Sequence, residues 1–287
     1  MDKLKIKFVD FWPGFTAAKD PLFGDFLSDH FDVELTNNPD IVIFSVFGSS
    51  HKKFDKKNVI KIFYAAENFL YHSYPALDMK KGWDKVEKYS HYSITPFTID
   101  STTNFRMPHY IRKYGFKVKE EIDNSIEKYI KPKDIVYLQR NCVSFRDNMV
   151  KDLMKKFKVD CVGKCLRNKN VTVGKDKLGF IKNYNIVIAI ENSCVPGYTS
   201  EKIIDPFKVN SIPIYYGDSN ITNDFNENAF LNYHTQSKEE IYDQISTLLN
   251  SEDKLLKMMS YKKIKNEDLY SGNVFLKFFK KCLNHKL

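Results

Sequence analysis

Short apolar runs bounded by turn signals recur along the chain, with stretches of helical period between them. Lys5-Ile6-Lys7-Phe8-Val9 alternates charged and apolar positions and predicts a first strand. Ile41 to Val46, which follows Asn-Asn-Pro-Asp, and Val59 to Tyr64 are almost continuously apolar over strand length. Such runs fit strands buried on both faces, in a parallel sheet covered by helices. From Tyr71 to Tyr114 the chain is polar and aromatic-rich and yields one short strand, Tyr92 to Phe97.

Beyond about residue 130 the pattern sharpens. It predicts strand Ile135 to Leu138, a helix from Ser144 to Phe157 with Met149, Leu153 and Met154 inward, and strands Val159 to Val162 and Asn185 to Ile190. Helix Glu201 to Val209 and strand Ile212 to Tyr216 follow, then helices Lys238 to Leu249 and Glu252 to the end. Strands alternating with helices mean parallel βαβ units and a doubly wound sheet, an α/β fold. Lys117 to Asp134 is rich in Lys and Glu, poor in apolar periodicity and ends in Lys131-Pro132-Lys133, the composition of a connection. The expected division is a first domain over 1–130, a second over 131–270 and a basic amphipathic helix over 271–287. A chain of 287 residues has the material for two such domains.

Composition narrows the class. No apolar run approaches membrane-spanning length, and Met1 to Asp10 has neither the apolar core nor the cleavage site of a secretory signal. The five cysteines (Cys142, Cys161, Cys165, Cys194, Cys282) are odd in number, and only Cys161 and Cys165 are close. That resembles neither a disulfide framework nor a zinc ligand set, so reduced thiols in a cytoplasmic protein are expected. A net charge of +9 admits nucleic acid, a membrane surface or a phosphate-bearing small molecule as partner. Only five basic residues are arginines (Arg106, Arg112, Arg140, Arg146, Arg167), and these have the planar fork that suits phosphate. Residues 274–283 put Phe275, Phe278, Phe279 and Cys282 on one helical face and lysines on another. Packing on the body is favoured, with peripheral contact to an anionic membrane as the alternative.

The chemistry concentrates in Asn185 to Lys202. A buried parallel strand runs into a polar loop, Glu191 to Ser200, which ends in Thr-Ser just before a helix. Ligands of α/β sheets bind beyond the carboxyl ends of strands, where N–H groups of the next helix face anions. Lys202 on the first turn opposes the helix dipole, at a cost of roughly 0.3–1 kcal/mol that a bound phosphate would offset. An ordinary βα loop capped by Ser200, with Glu201 as a favourable first-turn acid, explains the same residues equally well.

Glu191-Asn192, Tyr198-Thr199-Ser200-Glu201-Lys202 and Ile212-Pro213-Ile214-Tyr215-Tyr216-Gly217 together resemble the donor motif of the α-1,3-fucosyltransferases that use GDP-fucose, glycosyltransferase family 10. Phe63-Tyr64-Ala65-Ala66-Glu67-Asn68 is similar to that family's F-x-x-G-E-N segment, and Phe105-Arg106-Met107-Pro108-His109-Tyr110 to its L-R-M-P-x-Y segment. Arg146 opening a helix, then Val162-Gly163-Lys164-Cys165-Leu166-Arg167-Asn168, stands where relatives have an arginine-led helix and G-G-x-x-R-N.

The resemblance implies a GT-B fold, two Rossmann-like domains facing across a cleft with the acceptor on the N-terminal side and GDP-fucose on the C-terminal side. It implies inverting transfer of fucose to a hydroxyl of an N-acetylglucosamine-type sugar in an oligosaccharide, as an α-1,3 linkage. Glu67 would be the catalytic base. Arg146 and Lys202 would hold the diphosphate; Asn192, Tyr198 and Glu201 would contact the rest of the donor, and Arg106 would lie on the acceptor side. No cofactor is required and no residue is assigned to a metal, since no D-x-D occurs, though a divalent ion could help GDP leave. Ala66, Ser200 and Val162 stand where the family has Gly, Thr and Gly, and Tyr71 to Asp100 departs most. The competing readings are a GT-B enzyme using another nucleotide sugar and a non-enzymatic basic nucleic-acid-binding protein. The second lacks an arginine stripe or a recognition motif, so nucleic acid is not an expected partner.

Overall fold

The computed structural model describes residues 3–55, 58–69, 79–123, 129–268 and 271–284. The chain divides into two compact domains, Met1–Phe116 with Asp268–Leu287, and Lys117–Glu267.

The first domain carries β1 (Leu4–Val9), α1 (Leu27–His30), β2 (Val33–Leu35), β3 (Ile41–Phe44), β4 (Ile60–Tyr64), α2 (Met79–Tyr89), β5 (Tyr92–Thr95), β6 (Asn104–Arg106) and α3 (His109–Tyr114). Its strands form one parallel sheet in the order β2-β1-β3-β4-β5-β6. Ile41 to Phe44 and Ile60 to Tyr64 are buried throughout, as expected of strands covered on both faces. The short strands β2 and β6 are half-buried or exposed and too brief to show a period, which is why the pattern of apolar residues does not reveal them.

The second domain carries α4 (Val118–Asp123), β7 (Lys133–Gln139), α5 (Ser144–Met154), β8 (Val159–Gly163), α6 (Lys177–Ile181), β9 (Tyr184–Ile190), α7 (Glu201–Lys208), β10 (Ile212–Tyr216), β11 (Leu231–Asn232), α8 (Lys238–Leu249) and α9 (Glu252–Ser260). The sheet is parallel in the order β11-β10-β9-β7-β8. Chain order therefore reverses between β7 and β9, and the crevice beyond their carboxyl ends is the place where such sheets bind ligands.

The domain division corrects the expected boundary near 130. Val118 and Ile122, one helical turn apart, are buried, and Glu121 pairs with Lys208 of α7 at 2.5 Å. The stretch Lys117 to Asp134 thus holds a helix of the second domain and is not a plain connection.

The C-terminal stretch is not one helix from Glu252. α9 ends at Ser260, and α10 (Gly272–Leu283) returns to the first domain. Phe275 packs on Phe26 and Phe105 at 5.4 and 5.2 Å between ring centres, and Phe279 on Phe31 at 5.6 Å. Phe275, Phe279 and Cys282 are fully buried, so the apolar face weighed for a membrane surface is covered by protein. Among the described residues no helix is long and apolar enough to cross a membrane.

The thiol expectation is also corrected. Cys142 and Cys165, which follow β7 and β8, form a disulfide with Cα atoms 5.3 Å apart. Their separation of 23 residues in sequence hides a neighbourhood that the parallel pairing of β7 with β8 creates.

Candidate active site

A cavity of about 620 Å³ opens at the β7/β9 switch point. Its walls come from the end of β7 (Leu138 to Asn141), the end of β8 (Val162, Gly163), the loop Val171 to Gly174, and Asn192, Glu201 and Lys202. Gly163 has φ +99°, and a β-carbon there would fall 2.2 Å from the carbonyl oxygen of Gln139, so only glycine lets the two strand ends approach this closely. Five cations line the cavity: Arg140, Arg146, Arg167, Lys177 and Lys202.

Arg146, in the first turn of α5, is 1% exposed. It donates through Nη1 to the carbonyl of Ile190 at 3.3 Å and through Nη2 to that of Asn141, while its buried Nε has no hydrogen-bond partner among the described residues. Backbone carbonyls hold this guanidinium in place without neutralising it. A fixed, desolvated cation with an unmet N–H is suited to an anion arriving in the cavity.

Lys202 is arranged differently. Its ammonium donates to Glu191 Oε2 and to Ser200 Oγ, both at 2.9 Å. Glu191, at the end of β9 and fully buried, also accepts from the backbone N–H and hydroxyl of Ser200 at 2.7 and 2.8 Å. Burial alone pushes the Lys202 pKa down, but the charges of Glu191 and Glu201 outweigh it and leave the group above its usual value, firmly protonated. The loop is further tied by buried Asp218, which accepts from Gly197 N–H at 2.7 Å and Thr199 Oγ1 at 3.0 Å. Lys177 is paired with buried Asp205 at 2.6 Å.

The structure therefore brings together Arg146, Asn192, Glu201 and Lys202 of the expected donor residues. It does not bring Tyr198 there: this side chain is 2% exposed and outside the cavity wall, an aromatic held in the interior. Arg140, Lys177 and the Val171 to Gly174 loop are additional wall residues. Arg140 and Lys177 could have been found as cations flanking predicted strand and loop ends, but the loop carries no chemical signature. Glu191 was visible only as part of a motif, and its role as the anchor of Ser200 and Lys202 appears in the hydrogen bonds. One group of His, Cys, Asp or Glu among the described residues is close enough to hold a metal, Cys142, Asp147 and Cys165, and its two sulfurs are bonded to each other.

Glu67 belongs to the first domain, in the turn after β4. Ala65 and Ala66 before it and Asn68 and Phe69 after it are buried, and Phe69 N–H donates back to the Glu67 carbonyl at 2.9 Å. This tight turn leaves the Glu67 side chain projecting, 67% exposed, and His109 Nε2 meets its Oε1 at 3.0 Å. Arg106 ends β6, half-buried and in register with Thr95 of β5. Residues 70–78, within the stretch expected to face the acceptor, lie outside the described residues.

Comparison with known proteins gives two family matches that succeed one another along the chain. Residues 6–112 match the α-(1,3)-fucosyltransferase FucT N-terminal domain, and residues 129–282 match the C-terminal domain of glycosyltransferase family 10 (fucosyltransferase). The human GDP-fucose protein O-fucosyltransferase 3 is 30% identical over 192 residues, 62% of this chain and 39% of that protein. The α-(1,3)-fucosyltransferase FucT of Helicobacter pylori is 26% identical over 295 residues, 89% of this chain and 59% of that protein. The chain thus spans less than two thirds of the length of these curated relatives. A crystal structure of α1,3-fucosyltransferase superposes with a TM-score of 0.78 at 21% identity, covering 99% of this chain and 91% of that one, and one with GDP-fucose with 0.75 at 22%, with the same coverage. The fold is accordingly GT-B, built of two Rossmann-like sheets. With more than half its length matched by the C-terminal model alone, the chain belongs to glycosyltransferase family 10, the fucosyltransferases.

Proposed function

We propose that this protein transfers L-fucose from GDP-fucose, with inversion, to a hydroxyl of an N-acetylglucosamine-type sugar in an oligosaccharide, forming an α-1,3 linkage. One observation carries it: in a chain of the fucosyltransferase family, the switch-point cavity is walled by a buried arginine with an unmet N–H and a lysine kept protonated by Glu191.

The chemistry asks for a base and a leaving-group cradle. The acceptor hydroxyl attacks the anomeric carbon of the β-linked fucose as the bond to the diphosphate breaks on the opposite face, which gives the α-linkage. Glu67 takes the hydroxyl proton. Charge develops on the diphosphate of departing GDP, and Arg146 and Lys202 meet it, with Arg140 and Arg167 at the cavity wall. Asn192 and Glu201 contact the remainder of the donor, and Arg106 is assigned to the acceptor side. Side chains suffice to neutralise the diphosphate, and a divalent ion would act by speeding GDP release. The site of action proposed with this chemistry is the cytoplasm.

A hydroxyl on a protein is the second acceptor class, favoured by the 30% identity to a protein whose name gives that activity. Incubating the protein with GDP-fucose and parallel panels of oligosaccharides and folded protein domains, with GDP release as readout, separates the two. Release with neither panel above blank would overturn the proposal, and a panel of nucleotide sugars tests the choice of donor.

A further inference from the structure

His109, the first residue of α3, meets Oε1 of Glu67 through Nε2 at 3.0 Å, and the family reading gives that histidine no task. The two side chains differ sharply in setting. Glu67 is 67% exposed on a tight turn, whereas His109 is 12% exposed and fixed to a helix that follows buried Met107 and Pro108. An exposed glutamate on a turn samples several rotamers, and ordering one costs up to about 2 kcal/mol. A base that must meet a hydroxyl within hydrogen-bond reach therefore gains from a partner that does not move.

We propose that His109 is a positioning residue for Glu67: its Nε2–H holds Oε1 of the carboxylate and so aims the second oxygen at the acceptor hydroxyl. This rests on the assignment of Glu67 as the base. The hydrogen bond selects the imidazole tautomer with the proton on Nε2, whether or not the ring is charged. It also favours the ionised carboxylate, the form able to take a proton. Tyr64 of β4 feels the charges of Glu67, of Arg112 one turn further along α3, and of Asp20. Arg112 meets Asp20 at 3.9 Å and lies over the Trp12 ring at 4.6 Å. Burial raises the Tyr64 phenol well above its usual pKa, so it stays neutral. Arg112 is engaged with Asp20 and Trp12, and His109 supplies a donor to the carboxylate.

The test compares the pH dependence of kcat/KM for wild type, H109Q, H109F and E67Q with GDP-fucose and the best acceptor. Glutamine keeps an N–H that can reach Glu67; phenylalanine keeps the ring and removes the donor. H109F is expected to lose about tenfold in kcat, with KM for GDP-fucose unchanged, and its acid limb to move up by about one pH unit. H109Q is expected to recover most of the rate. Thermal melts establish that each variant is folded, and the rescue by glutamine separates a donor from a packing role. If H109F keeps the wild-type rate and profile while E67Q is inactive, the positioning role is wrong and the base assignment stands. If H109Q is folded yet as impaired as H109F, a donor is not what position 109 supplies and the inference is again overturned. If E67Q transfers normally, the base assignment fails and the role of His109 with it.

Discussion

Gly217 lies against Glu191: a β-carbon at position 217 would fall 2.4 Å from Cγ of Glu191 and 2.8 Å from its Cβ. Two pieces of the donor motif that are separated in sequence are therefore one packing unit. Glycine after β10 makes room for the carboxylate after β9, and that carboxylate fixes Ser200 and Lys202.

Gly217→Ala is expected to push Glu191 out of place and so release Lys202. GDP affinity, read as the ligand-induced rise in melting temperature, should fall about tenfold or more, and Tm should drop by several degrees. Gly174→Ala is the control, since a β-carbon there meets nothing within 4 Å, and its Tm should match wild type.

Lys202→Met removes the partner of a fully buried carboxylate. Breaking such a pair costs about 3–5 kcal/mol in folding, so the melt should fall markedly without ligand. Because the Lys202 pKa lies above its usual value in the folded protein, the stabilisation from this pair is complete below the ordinary lysine pKa and is lost as pH rises through the folded value. The stability difference between wild type and Lys202→Met should accordingly be flat from pH 7 to 9 and shrink only in more alkaline buffer. At a pH where both are folded, kcat should fall about 100-fold.

Arg146→Lys tests whether the fork matters or only the charge. An ammonium has three N–H donors on a single nitrogen and no planar fork, so it cannot fill the two separate positions from which Nη1 and Nη2 meet the Ile190 and Asn141 carbonyls and face a phosphate as well. GDP binding measured by calorimetry should weaken about tenfold or more; affinity equal to wild type would show that a point charge is enough.

Much of this site could be read from the sequence because its ingredients are contiguous. Asn185 to Lys202 is a strand, a loop and a helix start, and local signals identify all three. The unread parts are the ones that tertiary packing creates. Tyr198 stands in the motif with the right chemistry for a donor contact, yet its ring is taken into the interior. Val118, Ile122, Ile126 and Ile130 recur every four residues, but the Lys and Glu that crowd between them give the stretch the composition of a linker and mask the helical period. Cys142 and Cys165 become neighbours only because β7 pairs with β8, and His109 meets Glu67 because β4 and β6, which precede them, flank β5 in one parallel sheet. In each case residue type was legible and proximity was not.

The Cys142–Cys165 bond gives a further check that also bears on the compartment. Alkylation of the denatured, unreduced protein should block three of the five cysteines, and tryptic mapping should recover the 142–165 cross-link. A bond that persists after expression in a reducing cytoplasm would mean that it resists the thiol pool there; five alkylated cysteines would mean that the two thiols are reduced in that compartment.

The most direct measurement is fucose transfer by Glu67→Gln against wild type, at saturating GDP-fucose and acceptor, with GDP-induced thermal shifts run in parallel. Loss of at least about 100-fold in kcat, with the GDP-induced shift intact, is the expected result, because the amide keeps the shape of the carboxylate but cannot take the proton. Transfer by Glu67→Gln at the wild-type rate would contradict the assignment of this residue as the base.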